Sequence, residues 1–135
     1  MSAHVRFRVG DEALALPVGN VLEVADAEVT PVPGAPAAVL GVCNRRGQVV
    51  PVIELARLLG TARAGAGARV VVTERAGHRA ALAIDEATGV EELEVSEEGY
   101  VAPFLTGLGR SGDEPVGIVD LAAVYAAVER RAADE

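Results

Sequence analysis

Nucleophilic catalysis needs a nucleophile, a base and a group that orients the base, all within hydrogen-bond reach. In this 135-residue chain Cys43 is the only cysteine and His4 and His78 are the only histidines. Cys43 and His78 are therefore the one conceivable Cys/His pair. Cys43 lies in the β-rich run Val39-Leu40-Gly41-Val42-Cys43, where a buried, inert thiol is the ordinary outcome. His78 falls in an expected hairpin turn beside Gly77, and His4 in the N-terminal fringe. One cysteine and two distant histidines have no metal-ligand spacing, and the carboxylates are spread along expected solvent faces. The chain is read as no enzyme, with no catalytic, metal or cofactor-binding residue.

Gly107-Leu108-Gly109-Arg110-Ser111-Gly112 matches G-x-G-x-x-G. A dinucleotide fingerprint needs a strand before it and a helix after it, so that pyrophosphate meets the helix N-terminus. Here Asp113-Glu114-Pro115 follows, with charges that repel phosphate, so the glycines are read as turn chemistry. Binding is the chemistry that remains. Asn44-Arg45-Arg46-Gly47 puts two guanidinium groups on an expected turn, and Glu23 lies just before a proline loop. Arginine favours interfaces because its planar fork pairs bidentately with carboxylates.

Strands must position these residues. Val5-Arg6-Phe7-Arg8-Val9 alternates as a half-buried strand does, and Ala13-Leu14-Ala15-Leu16 returns after Gly10-Asp11-Glu12. Val18, Val21, Leu22 and Val24 have mixed spacing, which fits a helical turn or an irregular strand. Thr30 to Pro36 holds three prolines and is a loop. Val39 to Ile53 reads as a hairpin with a four-residue Asn…Gly connection, followed by a short helix with Glu54 as its cap and Gly60 as its stop. Thr61 to Ala68 is a small-residue connector. Arg69–Thr73 and Ala80–Ile84 make another hairpin, and Val90, Leu93 and Val95 face inward from an acidic strand. Val116–Val119 is a strand, and Asp120 caps a final helix over about 121–132. Pro51–Leu59 matches Gly117–Tyr125 at an offset of 66 residues, with Gly41 facing Gly107, which implies two related β lobes.

Composition agrees with a small mainly-β fold. Half the chain is hydrophobic, yet it has two Phe, two Tyr and no Trp, so Val, Leu, Ile and Ala fill the core. The net charge of −8 disfavours nucleic acid and anionic lipid. A lone cysteine, no signal-peptide pattern and no apolar run near 20 residues point to a cytoplasmic protein without membrane insertion.

From Phe7 to about Val128 the sequence resembles the CheW-like family, the coupling adaptors of bacterial chemotaxis. The resemblance is carried by the proline loop Thr30–Pro36, by Gly41-Val42-Cys43-Asn44-Arg45-Arg46-Gly47 against the family's G-x-x-N-L-R-G, and by Val50-Pro51-Val52-Ile53-Glu54-Leu55 against x-x-P-x-x-D-L. Glu23, Leu82 to Ala87 and Leu105 to Gly109 add to it. It implies one CheW-like domain over 1–135, made of two interleaved SH3-like five-stranded β-barrel lobes with short helices. It further implies an adaptor between the cytoplasmic tip of chemoreceptors and the regulatory domain of a CheA-type histidine kinase, with room for ring or array assembly with other CheW-like domains. Partner-binding positions carried over are Glu23, Asn44, Arg45, Arg46 and Gly47, with Val21, Val24 and Val39 as apolar neighbours or core. Arg45 stands where the family has Leu, so it is expected to face solvent or an acidic partner. That departure also admits an accessory module, binding only receptor or only kinase in a specialised, non-flagellar pathway.

Overall fold

The computed structural model describes residues 1–65, 69–97 and 102–133, with side chains as far as Glu129. The N-terminal hairpin is β1 (Ser2–Val9) and β2 (Glu12–Pro17). A 3-10 turn, Val18–Asn20, leads into β3 (Val21–Asp26), so this stretch is helical turn and strand in succession. β4 (Val39–Arg45), β5 (Gln48–Ile53) and α1 (Leu55–Leu59) follow the proline loop. Then come β6 (Arg69–Arg75), β7 (His78–Ile84), β8 (Glu86–Leu93), β9 (Val95–Ser96), β10 (Leu105–Ser111), β11 (Glu114–Val119) and α2 (Leu121–Ala133). Ala66–Ala68 of the expected connector and Glu98 of the acidic run lie outside the described residues.

The strands form two sheets, in the orders β8-β1-β2-β11-β10-β9 and β3-β6-β7-β5-β4. Each curls back on itself. Only Glu94 separates β8 from β9, which pair with β1 and β10 respectively and so act as one bent strand. In the second sheet the chain runs on from β3 to Thr30, whose N–H and C=O bond Val42 of β4 at 2.8 and 2.9 Å. The result is two SH3-like lobes. The N-terminal hairpin joins the first lobe through the parallel pairing of β2 with β11.

The 66-residue offset reaches far beyond the segment in which it is legible. Adding 66 carries Val39–Arg45 onto Leu105–Ser111 and Gln48–Ile53 onto Glu114–Val119, matching strand limits at both ends. The Thr30–Val42 bridge maps onto the Ser96–Leu108 pair, and Ala81–Val52 onto Ala15–Ile118 with the N-terminal hairpin standing for β6-β7.

Alternation divides the side chains between three cores. From β6 and β7, Val70, Val72, Ala81 and Ala83 point into their own barrel with Cys43, Val50 and Val52. Val71, Leu82 and Ile84 point the other way, into a core shared with Phe7, Leu14, Leu16, Leu55 and Leu121. Leu93, Val116, Ile118 and Ala15 fill the first barrel. Strands buried on both faces explain the nearly continuous apolar runs.

α2 is capped by Asp120, whose Oδ1 accepts from the Ala123 N–H at 3.1 Å, and brings Tyr125 to Thr73 on β6. Thr73 Oγ1 donates its single proton to Ala80 O at 2.8 Å, so the Tyr125 hydroxyl is the donor in the 2.7 Å contact between them. Burial holds the Tyr125 phenol above its ordinary pKa, so it stays a donor. Tyr125→Phe is expected to cost about 1 kcal/mol in urea unfolding; an unchanged midpoint would show that the bond contributes nothing.

Four expectations are corrected. Gly107 and Gly109 lie within β10 and not in a turn, because the barrel needs a strand there that comes close to its neighbour. His4 is a buried residue of β1, its Nδ1–H donating to Ser2 O at 2.9 Å. Val90 is 67% exposed, while Glu91 turns towards Arg6 and accepts from it at 3.2 Å. Glu54 makes no side-chain cap; its carboxylate accepts from Arg63 Nε at 2.7 Å.

Candidate binding site at the mouth of the second barrel

The connection between β4 and β5 is shorter than the Asn…Gly spacing suggests. Asn44 and Arg45 still belong to the strand, and Arg46-Gly47 alone makes the turn. Both have positive φ, 54° and 82°, the pattern of a type I′ hairpin turn. Asn44 Oδ1 holds it by accepting from the Gly47 N–H at 3.0 Å. The turn lifts Arg46 into solvent, its side chain 83% exposed.

Arg45 has a different fate. Its guanidinium turns along the barrel wall and donates to Glu23 Oε1, while Arg46 Nε reaches Glu23 Oε2 at 3.3 Å. Arg45 is therefore not left to open solvent: its side chain is 24% exposed, and an internal carboxylate from β3 takes up its charge. The Arg45 hydrogen bond, ahead of burial, which opposes it, holds the Glu23 carboxyl below its ordinary pKa.

Glu23, Asn44, Arg45, Arg46 and Gly47 are thus brought together, but the apolar neighbours are not. Val24 is exposed on the face of β3 opposite Glu23. Val21 is half-buried against the shared core, and Val39 begins the strand that Arg45 ends, about 20 Å away at strand rise. Four other residues, Leu22, Val50, Val72 and Arg79, take their place. Leu22, Glu23, Arg45, Arg46, Val50, Val72 and Arg79 line a pocket of about 280 Å³ at the barrel mouth. Arg79 donates to Glu74 Oε2 at 2.9 Å and to Gln48 Oε1. The signal for Arg79 in sequence was its place two residues after Gly77; the turn there, Ala76-Gly77, has positive φ at both residues, as Arg46-Gly47 does.

The Cys/His pair has no counterpart in this geometry. Cys43 is inside the second barrel among valines, and burial pushes its thiol up, away from thiolate. His78 is exposed at the start of β7. Among the described residues, no group of three His, Cys, Asp or Glu could hold a metal ion, and no helix is long and apolar enough to cross a membrane.

A family model described as CheW-like domain matches residues 3–129. The chain belongs to the CheW-like domain family. It is 35% identical over 116 residues to Protein FrzA of Myxococcus xanthus, covering 84% of this chain and 71% of that one. It is 29% identical over 142 aligned positions to Chemotaxis protein CheW of Rhizobium meliloti, covering 96% and 90%. The crystal structure of the scaffolding protein TtCheW from Thermoanaerobacter tengcongensis superposes with a TM-score of 0.80 at 26% identity, covering 88% of each chain. CheW-like membership accounts for the paired barrels and places this chain among adaptors of chemotaxis-type signalling.

Proposed function

We propose that this protein is a non-catalytic cytoplasmic adaptor that couples chemoreceptor cytoplasmic tips to the regulatory domain of a CheA-type histidine kinase. Family membership over 3–129 supports the class of function. The observation that carries the site is Arg46: a fully charged side chain, 83% exposed on a rigid two-residue turn, in a chain of net charge −8. Glu23 and Asn44 act as positioning residues, one holding the guanidinium and the other the turn. Preorganised arginines of this kind dominate many interfaces, because little side-chain entropy is lost on binding.

Arg46→Ala is expected to weaken pull-down of receptor or kinase about tenfold, as loss of an interface anchor does, while the circular dichroism spectrum stays as in wild type. Binding at wild-type affinity would remove Arg46 from the interface.

Arg45 favours a second reading, an accessory module that serves one partner only. The family's leucine at that position is replaced by a charge committed to Glu23. Titrating receptor tip and kinase domain separately against the purified protein decides between the two, since the accessory module binds only one of them.

A further inference from the structure

The mouth of the second barrel differs from that of the first in a way the repeat makes measurable. At the same offset of 66, Arg6 stands where the second barrel has Val72, and Ser111 where it has Arg45. Arg6 fills its own barrel mouth, donating to Ser111 Oγ at 2.9 Å, Glu91 at 3.2 Å and Glu114 at 2.7 Å. Arg8 closes the same cluster on Glu114 at 2.7 Å. The first mouth is occupied by its own ion pairs. At the second, Val72 and Val50 leave a floor without charge, and the 280 Å³ pocket remains above it.

The rims also differ in sign. Residues 21–23, 44–49 and 74–79 around the second mouth carry four arginines against two glutamates. The corresponding residues 87–89, 110–115 and 8–13 carry two arginines against four acids. A rim of net +2 in a chain of net −8 is local, and Glu23 is already engaged by Arg45 and Arg46.

We propose that this pocket seats an acidic segment of a protein partner, a carboxylate side chain entering between Arg46 and Arg79 with an adjacent apolar side chain on Leu22 and Val72. This rests on the adaptor reading and deepens it by naming what the partner presents. Charge complementarity selects the occupant: Arg46 and Arg79 already pair with Glu23 and Glu74, but the rim still carries two more arginines than glutamates, an excess that a basic segment would oppose and that a carboxylate offsets by accepting further bonds from the exposed guanidiniums.

The test uses a fluorescein-labelled peptide of alternating glutamate and leucine, and the same peptide with glutamine for glutamate, read by anisotropy at low salt. The glutamate peptide should bind the wild-type chain at least tenfold more tightly than the glutamine peptide. Arg79→Glu, an exposed substitution, should weaken it about tenfold. Arg110→Glu, the same charge change beside the first mouth, should leave it unchanged. Absence of binding, equal binding of the glutamine peptide, survival of binding in Arg79→Glu, or an equal loss in Arg110→Glu would each overturn the proposal. Neither receptor nor kinase is present, so this result and the pull-down result can fail independently.

Discussion

Replacing Gly41 by alanine is expected to be the most damaging single methyl group that can be added to this protein. A Cβ at Gly41 would lie 2.1 Å from Thr30 O, 2.7 Å from its carbonyl carbon and 2.9 Å from Pro31 Cα. All three are backbone atoms, so no side chain can rotate away. The residue also has a φ of 153°, which side chains rarely tolerate. Thr30 and Val42 exchange the two hydrogen bonds that close the second barrel, and relief of the clash must pull that pairing apart. Strain and overpacking of this kind add to about 3–5 kcal/mol, a large share of the ~5–15 kcal/mol that holds a small domain folded.

The repeat supplies the controls. Gly107 occupies the same place in the first barrel, and its Cβ would meet Ser96 O at 2.9 Å without a positive φ. Gly47 has a φ of 82° but open space around it. Thermal unfolding should therefore rank the alanine variants Gly41 lowest, Gly107 next and Gly47 highest, with Gly47→Ala costing about 1 kcal/mol. A Gly41→Ala melting temperature equal to that of Gly47→Ala would mean that the two strands need not approach so closely.

This close approach explains why some of the fold was legible and some was not. The hairpins announced themselves through alternation and turn glycines, and the Pro51–Leu59 repeat gave two lobes because apolar strand and helix positions keep their pattern. β10 did not, since Leu105-Thr106-Gly107-Leu108-Gly109 needs small residues where strands close a barrel, and glycine reads as turn when only local preference is considered. Gly41 escaped the same fate because valines and Cys43 surround it. His4 and Val90 were misplaced for another reason: their exposure depends on which strand lies alongside, and sequence does not give pairing across the 85 positions between Arg6 and Glu91.

At the candidate site, motif and geometry divide in the same manner. The Asn44–Gly47 turn is local, so its residue types implied it. The Glu23–Arg45 pair spans 22 positions and requires the barrel to close, which no spacing rule conveys. The substitution of arginine for the family's leucine then becomes intelligible. Glu23 supplies the countercharge within the chain, and Arg45 is a wall of the mouth, leaving Arg46 and Arg79 as the exposed arginines of the pocket lining.

Removing the Asp85 carboxylate is expected to have the second large effect, through a loop that no binding motif includes. Asp85 stands between β7 and β8 and accepts backbone N–H bonds from Gly10 at 2.6 Å, Gly65 at 2.8 Å and Ala64 at 3.0 Å. One side chain thus ties the β1-β2 turn to the connector after α1, joining the two lobes. The turn is pressed close, since a Cβ on Gly10 would lie 2.3 Å from Ala62 O. Burial pushes the Asp85 carboxyl up, but the three N–H donors and the Arg63 charge outweigh it, and the net result is a pKa below the ordinary 3.8. Asp85→Ala should cost about 3 kcal/mol at neutral pH, on the scale of charge-assisted hydrogen bonds. Asp85→Asn keeps the shape, removes the titration and isolates the charge. Because the folded-state pKa is depressed, the charge stabilises fully above the unfolded value near 3.8 and ceases to do so as pH falls through the lower folded value. The stability difference between wild type and Asp85→Asn, measured by urea unfolding, should therefore be flat from pH 7 to about 5 and shrink below pH 4. Glu23, Glu91 and Glu114, also held below their ordinary values by arginine and serine partners, titrate in both proteins and cancel in the difference. A difference that stayed constant to pH 2 would show that the carboxylate charge plays no part in holding the connector.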